Sequence, residues 1–193
     1  MDKNKRRIFV LALVVCCLAL AVTGSLAYYT ASEQAHNVIT SGSVAIELQE
    51  LMTDPADPAA LIPFEDAEGV MPGAEISKIV QVENTGSADA WVRISLEKAI
   101  ALAGEGEADL SLLVLDLNEE DWTEQDGYYY YNTALKPGET TAPLFTTVTF
   151  AAAMGNEYQD STATIDVSAQ AVQTANNGET VLEALGWPEA PQL

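Results

Sequence analysis

The side chains that most often carry out catalysis are scarce in this chain of 193 residues. His36 is its one histidine. The sequence therefore has no His-x-x-x-His metal-binding pair, and it has no second histidine besides the one that a Ser-His-Asp triad would need. Both cysteines, Cys16 and Cys17, lie in an apolar N-terminal run, and no glycine-rich phosphate loop follows a predicted strand. We therefore predict that the chain is not an enzyme, has no catalytic residues and needs no cofactor.

Acidic side chains are the one abundant source of metal ligands, and carboxylate oxygens suit calcium. The candidates for a calcium site lie close together in the sequence: Asp116, Glu119, Glu120 and Asp121. They lack the Asp-x-Asp-x-Asp-Gly spacing of a calcium loop, which favours a solvated loop and no metal. Trp91 and Trp122, with the tyrosines, are candidates for a sugar-binding face, but aromatic residues on strands more often fill a core.

The N-terminus has the composition of an export signal. Four of the eight basic residues lie in a head at 3–7, and an apolar run follows at 8–22. Ser25 and Ala27 then place small side chains at the two positions that a signal peptidase recognises, which predicts Tyr28 as the first residue after cleavage. We expect a secreted protein that meets a signal peptidase and the membrane only during export.

Two other interpretations of the N-terminus stay open. Residues 8–29 are long enough to cross a bilayer as an uncleaved anchor, although small and polar residues at 23–25 interrupt the run where signal peptidases cut. A lipoprotein needs a small residue before its cysteine, whereas Val15 precedes Cys16.

The chain after residue 27 is strongly acidic. It carries 28 of the 29 Asp and Glu but only four of the eight Lys and Arg, a formal charge of −24. Such a surface repels nucleic acid and anionic lipid, which excludes both as partners. No cysteine lies in this part, so a hydrophobic core must hold it together without disulfides.

Alternation of apolar and polar residues predicts antiparallel strands after residue 40. The clearest strand covers 163–171, and we expect it to be central in its sheet because one of its faces is wholly apolar. Other strands are predicted at 44–49, 76–82, 91–97, 128–131 and 147–150, whereas 110–117 is ambiguous between strand and helix. We predict short helical insertions at 96–103 and 180–185 and a surface loop at 52–69.

Two Pro-Gly pairs, at 72–73 and 137–138, predict type II turns before strands. The fold class that follows is all-β: a two-sheet antiparallel β-sandwich with short helical insertions, preceded by an N-terminal signal helix. We divide the chain into a signal peptide at 1–27, an N-terminal segment at 28–42 and a β-sandwich domain at 43–193.

Short motifs follow one another in order along the chain: GSLAYYT at 24–30, NVITSGSV at 37–44, MPG at 71–73, VQVENTGS at 80–87, WVRI at 91–94 and AQAVQ at 169–173. The ordered set resembles the camelysin and TasA-like proteins, in which a dedicated signal peptidase reads the Gly-x-x-Ala-aromatic-aromatic ending of the export signal. The resemblance implies a jelly-roll sandwich at the cell surface or in the biofilm matrix, with some members forming fibres.

The resemblance leaves three functions open. The first is a structural subunit of extracellular, biofilm-matrix or cell-surface fibres, which we favour because it requires no active site. The second is a camelysin-type surface metalloendopeptidase, but one histidine and no zinc motif mean that no catalytic residue is carried over. The third is an extracellular module that binds sugar or calcium.

The N-terminal segment is suited to self-association. Residues 28–39 contain no proline or glycine, and the segment has aromatic or β-branched residues at both ends: Tyr28, Tyr29, Val38 and Ile39. Freed by signal cleavage, it could pair as a donor strand with a sheet edge of a neighbouring subunit. The alternatives are an unstructured tail and an ordinary first strand of its own domain.

Overall fold

A computed structural model describes residues 44–67 and 69–188. Within these residues nine strands form two antiparallel sheets. The strands are β1 (Ile46–Thr53), β2 (Leu61–Pro63), β3 (Glu75–Asn84), β4 (Ala90–Ala101), β5 (Leu113–Leu115), β6 (Trp122–Gln125), β7 (Tyr128–Tyr131), β8 (Phe145–Phe150) and β9 (Thr162–Gln173). Single 3₁₀ turns lie at Leu110–Leu112, Asn156–Tyr158 and Val181–Glu183.

The first sheet has the strand order β2-β1-β3-β8-β5, and the second has the order β6-β7-β4-β9. The chain passes from one sheet to the other after β3, β4, β5, β7 and β8. The all-β, two-sheet antiparallel fold predicted from the alternation is confirmed, because the apolar sides of the two sheets form one shared core.

The core is formed by the inward-facing apolar residues of the strands, which alternate with polar residues in the sequence. Val92 and Ile94 of β4 are fully buried together with Val80 and Val82 of β3, and Phe145 of β8 packs with them. The apolar face of β9 joins the same cluster, as its alternation predicts. Burial of these side chains is the main favourable contribution to folding, since no disulfide is present in the described residues.

Both predicted Pro-Gly turns are confirmed. The amide of Ala74 donates to the carbonyl of Met71 at 3.0 Å, with Gly73 at φ 83°. The amide of Glu139 donates to the carbonyl of Lys136 at 3.0 Å, with Gly138 at φ 76°. A positive φ at the third residue of a type II turn is the reason that glycine follows proline at both places.

A buried asparagine fixes the connection from β3 to β4. Asn84 has no exposed surface, and its Nδ2 donates to the carbonyls of Ala88 and Leu135 at 2.9 and 2.8 Å. Its Oδ1 accepts from the amide of Gly86 at 2.9 Å, the pattern of an Asx turn. The Asn-x-Gly motif therefore closes a turn and joins three stretches of backbone.

Three local predictions are wrong. The expected helical insertion at 96–103 is strand, because β4 continues to Ala101 and pairs with β9 as far as Thr162. The loop predicted at 52–69 contains the end of β1 and the short strand β2, whose Pro63 is tolerated at a sheet edge. The insertion predicted at 180–185 is reduced to one 3₁₀ turn, and the ambiguous stretch at 110–117 holds both a 3₁₀ turn and β5.

The prediction that 163–171 is a central strand is also wrong. Within the described residues β9 pairs with β4 alone, along its whole length, and is therefore an edge strand. An apolar face shows that a strand packs against the opposite sheet. It carries no information on whether the backbone has hydrogen-bonding neighbours on one side or on both.

Candidate functional site

The residues predicted for cleavage and assembly lie outside the described residues. This applies to Ser25, Ala27, Tyr28, Tyr29, Val38 and Ile39, and also to His36. Their predicted roles, and the signal helix at 1–27, therefore stay predictions. In the part of the chain that the structure does describe, no helix is both long and apolar enough to span a membrane.

The four calcium candidates lie in the connection between β5 and β6. Two of them already accept hydrogen bonds from other residues. Asp116 accepts hydrogen bonds from the amides of Thr146 and Thr147 at 2.9 and 2.7 Å. Asp121 accepts from Nδ2 of Asn118 at 2.9 Å. Across residues 44–67 and 69–188, no group of three or more His, Cys, Asp or Glu side chains is placed to hold a metal ion.

Glu119 and Glu120 are exposed. Glu119 acts on the aromatic strand β7: burial raises the pKa of the Tyr129 hydroxyl, and the negative charges of Glu124 and Glu119 raise it further. The amide of Glu120 donates to Oδ1 of Asn118 at 3.2 Å, so this asparagine organises the acidic connection. The arrangement is that of a solvated loop.

Asp116 ties the end of β5 to β8. Partial burial alone would raise the pKa of the Asp116 carboxyl, but hydrogen bonds from the Thr146 hydroxyl and from the amides of Thr146 and Thr147 outweigh it and lower the pKa below its usual value. The carboxylate is thus a charged cap on the β8 backbone.

Neither Trp91 nor Trp122 offers a surface on which a sugar could stack. Both are buried, and each indole N–H donates to a backbone carbonyl at 3.0 Å, of Asn177 for Trp91 and of Ala142 for Trp122. Trp122 also packs against the ring of Tyr131 in the shared core. The two side chains act in packing, as aromatic residues on strands usually do.

Among the described strands, β9 has the longest unpaired edge. The strand pairs with β4 through twelve consecutive positions, from Gln173 opposite Ala90 to Thr162 opposite Ala101. No described strand pairs with its other side. A row of backbone N–H and C=O groups along such an edge is a template for another strand.

The other edges of the two sheets offer far less backbone. Strands β2 and β5 have three residues each and β6 has four, whereas β9 has twelve. Short edge strands are one of the ways in which proteins prevent unwanted pairing. Of the described edges, β9 is therefore the one that can accept a long partner strand.

The core beneath this edge is incompletely covered at one end. On the inner face of β9, Ala169 and Ala171 are buried, but Ala163, Ile165 and Val167 are only partly buried. The facing half of β4 shows the same change, since Leu96 and Ile100 are half-buried beyond the fully buried Ile94. An added strand would remove apolar surface here from water, which favours association.

Strand β1 of the first sheet lies near β9 on this side of the sandwich. Pairing between β1 and β2 begins at Leu51, so residues 46–49 of β1 pair with β3 only. The described chain begins at Val44, immediately before β1. Among the described residues, the unpaired side of β9 and the unpaired side of residues 46–49 of β1 therefore lie close to each other.

The chain matches no protein-family model and has no significant match among curated proteins. The functional proposal therefore depends on the sequence motifs and on the geometry of β9.

The sequence pattern predicted that β9 is a central strand, whereas among the described strands it is an edge strand. One signal was present: the outward face of β9 carries Thr162, Thr164 and Asp166, and a charged residue in the middle of a strand is typical of a protected edge. The sequence does not reveal that Asp166 lies opposite another acid, because the register with β4 is set by the fold.

Proposed function

We propose that this protein is a secreted structural subunit that self-associates into extracellular, biofilm-matrix or cell-surface fibres. The observation that carries the proposal is the free edge of β9, twelve residues long and next to a half-covered core. Backbone hydrogen bonds along the edge supply affinity, and alternate side chains of the incoming strand fill the gap in the core. No catalytic group is needed.

The incoming strand is the N-terminal segment of a second copy. Residues 28–39 equal β9 in length, with twelve residues each, and contain no proline or glycine to interrupt an extended strand. The segment has aromatic or β-branched side chains at its ends, which suit a half-buried position on a sheet. Donation in one direction from subunit to subunit gives an open filament, not a closed ring.

Signal cleavage would time this assembly. The donor segment follows directly after the predicted cleavage site at Ala27, so it becomes a free N-terminus only when the signal is removed. Polymerisation then begins outside the cell. The formal charge of −24 after residue 27 opposes stacking of subunits, and acid pH or divalent cations should speed filament growth by reducing that repulsion.

Deletion of residues 28–38 from the secreted protein tests the proposal. We expect the secreted protein to form filaments at acid pH, seen by electron microscopy, and the deleted protein to stay monomeric. A synthetic peptide of residues 28–42 should then bind the deleted protein and raise its Tm, whereas a peptide of the same composition in scrambled order should not. Filaments as abundant as those of the undeleted protein would exclude a donor strand.

A matched pair of substitutions tests the acceptor edge separately. Ile165→Ala removes an inward side chain from the incompletely covered part of β9, and Thr164→Ala changes its outward-facing neighbour. We expect the first to slow filament growth and the second to leave it unchanged. Equal growth rates in both variants would place the acceptor elsewhere than β9.

A further inference from the structure

Arg93 of β4 carries a buried positive charge on the outer face of the second sheet. The residue is 9% exposed and lies between its cross-strand neighbours Tyr130 of β7 and Gln170 of β9. Its guanidinium carbon is 3.8 Å from the ring centroid of Tyr128 and 4.6 Å from that of Trp187. The aromatic faces attract the cation and screen it from water, so the charge is enclosed without being neutralised.

The enclosure is completed by the C-terminal strap, which we define as residues 174–188. Val181 and Ala184 of the strap pack in one cluster with Tyr130. Trp187, near the end of the strap, meets the ring of Tyr130 edge-on at 5.8 Å between centroids. A ligand that reaches the guanidinium with the strap in place must therefore be small.

Every hydrogen-bond acceptor that the described residues offer to Arg93 is uncharged. Its Nε donates to Oε1 of Gln170 at 2.8 Å, and its Nη1 donates to the Tyr130 hydroxyl at 3.2 Å. The third acceptor, the carbonyl of Pro188, is 3.4 Å from Nη2, which is longer than the usual N–H···O distance of about 2.7–3.2 Å. This last contact is weak, so a better acceptor can replace it at Nη2.

The described residues place no carboxylate in an ion pair with this charge. Of the two acids in the described strap, the Glu183 carboxylate accepts from the amide of Glu179 at 3.2 Å, and Glu179 is exposed. By contrast, the buried ammonium of Lys78 pairs with Glu50. Burying a charge is costly unless an opposite charge compensates it, so Arg93 is suited to bind an anion.

Gln170 gives an independent indication of an acceptor at this place. The side chain is 1% exposed, and its Oε1 is engaged by Arg93. Its Nε2, on the same amide carbon, is buried and has no hydrogen-bond partner among the described residues. Buried N–H donors in folded proteins nearly always have an acceptor. The amide therefore indicates a ligand with acceptor atoms next to the guanidinium.

We propose that Arg93 and Gln170 form a binding site for a small carboxylate ion. One carboxylate oxygen accepts from Nη2 of Arg93 in place of the Pro188 carbonyl, and the other accepts from Nε2 of Gln170. The ligand thus supplies both a counter-charge for the guanidinium and an acceptor for the amide. A buried water molecule would satisfy the amide alone, because it is neutral and leaves the charge uncompensated.

This site goes beyond the fibre function. It lies on the outer face of the second sheet, and it requires neither the free edge of β9 nor association with a second copy. Its tests are therefore made on the dilute full chain at neutral pH, where their outcome does not depend on filament growth.

Thermal unfolding with formate as the probe tests the site. At about ten times its dissociation constant, formate should raise Tm by about 3–6 °C over chloride at the same ionic strength, because a ligand that binds only the folded state stabilises it. Benzoate should have no such effect, since its ring does not fit beneath the strap. Equal Tm values in formate and chloride would overturn the proposal. A rise with benzoate as large as that with formate would overturn the assignment to a small ligand.

The nearly isosteric substitution Gln170→Glu tests the same site without an added ligand. It places a carboxylate against Nε of Arg93, so we expect Tm to rise by about 2–4 °C and formate to raise it no further. Gln159→Glu, at an exposed position, adds the same charge elsewhere and should leave both Tm and the formate response nearly unchanged. A Gln170→Glu protein that is less stable than the unsubstituted chain, or that keeps the full formate response, would overturn the proposal.

Discussion

Glu97 of β4 and Asp166 of β9 lie directly opposite each other in the register of the second sheet, and both are exposed. Two like charges facing each other across an antiparallel pair are destabilising. The position is adjacent to the free edge of β9, where a charge also discourages unwanted strand pairing. The pair therefore lowers the stability of the β4–β9 pairing and at the same time protects the edge of β9.

Replacing one of the two acids by a base should stabilise the domain. In Asp166→Lys the repulsion becomes attraction, and we expect the free energy of unfolding to rise by about 0.2–1 kcal/mol. Urea denaturation at low salt measures the change, which should shrink in high salt because the charges are exposed. Thr164→Lys, opposite Ala99 on the same face, adds the same charge without the pair. If the free energy of unfolding rises equally in both variants, the Glu97–Asp166 pair does not affect stability.

Truncation of two inward isoleucines should distinguish the covered from the uncovered part of the core. Ile94→Ala empties a fully buried position and should cost about 2–5 kcal/mol of unfolding free energy. Ile165→Ala removes the same atoms from a half-buried position and should cost about half as much. Urea denaturation of the monomers gives both values. A similar loss in both would mean that β9 is covered as fully as β4.

Loss of the buried asparagine at the β3–β4 connection should be strongly destabilising. Asn84→Ala removes three hydrogen bonds from a buried site, at a cost of about 2 kcal/mol or more. The amide of Gly86 and the carbonyl of Leu135 each keep one backbone partner. Thermal unfolding would record the loss of stability as a lower Tm. Asn156→Ala at an exposed site is the matched control and should change Tm little. A normal Tm in Asn84→Ala would contradict the assigned hydrogen bonds.

The contribution of Asp116 to stability should depend on pH. Folding lowers the pKa of its carboxyl, so the group stabilises the fold fully above the unfolded pKa of about 3.9 and loses this contribution as pH falls through the lower folded pKa. Urea midpoints of Asp116→Asn should therefore lie below those of the unsubstituted protein at pH 6 and approach them below about pH 4. Glu120→Gln, in the same loop, is the control. A difference that does not change with pH would refute the carboxylate cap.

The local pattern predicted much of the fold. Alternation placed the inner faces of β4 and β9 correctly, and the two Pro-Gly pairs predicted turns whose glycines do have positive φ. The helix expected at 96–103 failed because β9 pairs with β4 along its whole length, and that pairing extends the strand to Ala101. A tertiary neighbour decided the local conformation there.

For the candidate sites, too, the sequence predicted some features and the fold alone showed others. The composition predicted an acidic surface poor in catalytic groups, and the order of motifs suggested an exported fibre subunit. No pattern in the sequence predicted that Gln170 would be buried beside Arg93 or that Pro188 would return to the same guanidinium. These residues are separated widely in the chain and meet only on the folded sheet.

The sequence by itself determined the period of each strand, the turns and the apolar face, because those depend on side chains a few residues apart. Only the tertiary structure decided the order of strands in each sheet. Among the described strands it made β9 an edge, and it left Ile165 half-buried and set Glu97 opposite Asp166. The physical reason is that backbone hydrogen bonds between strands are nearly independent of side-chain identity, so the order is set by how all strands together bury one core.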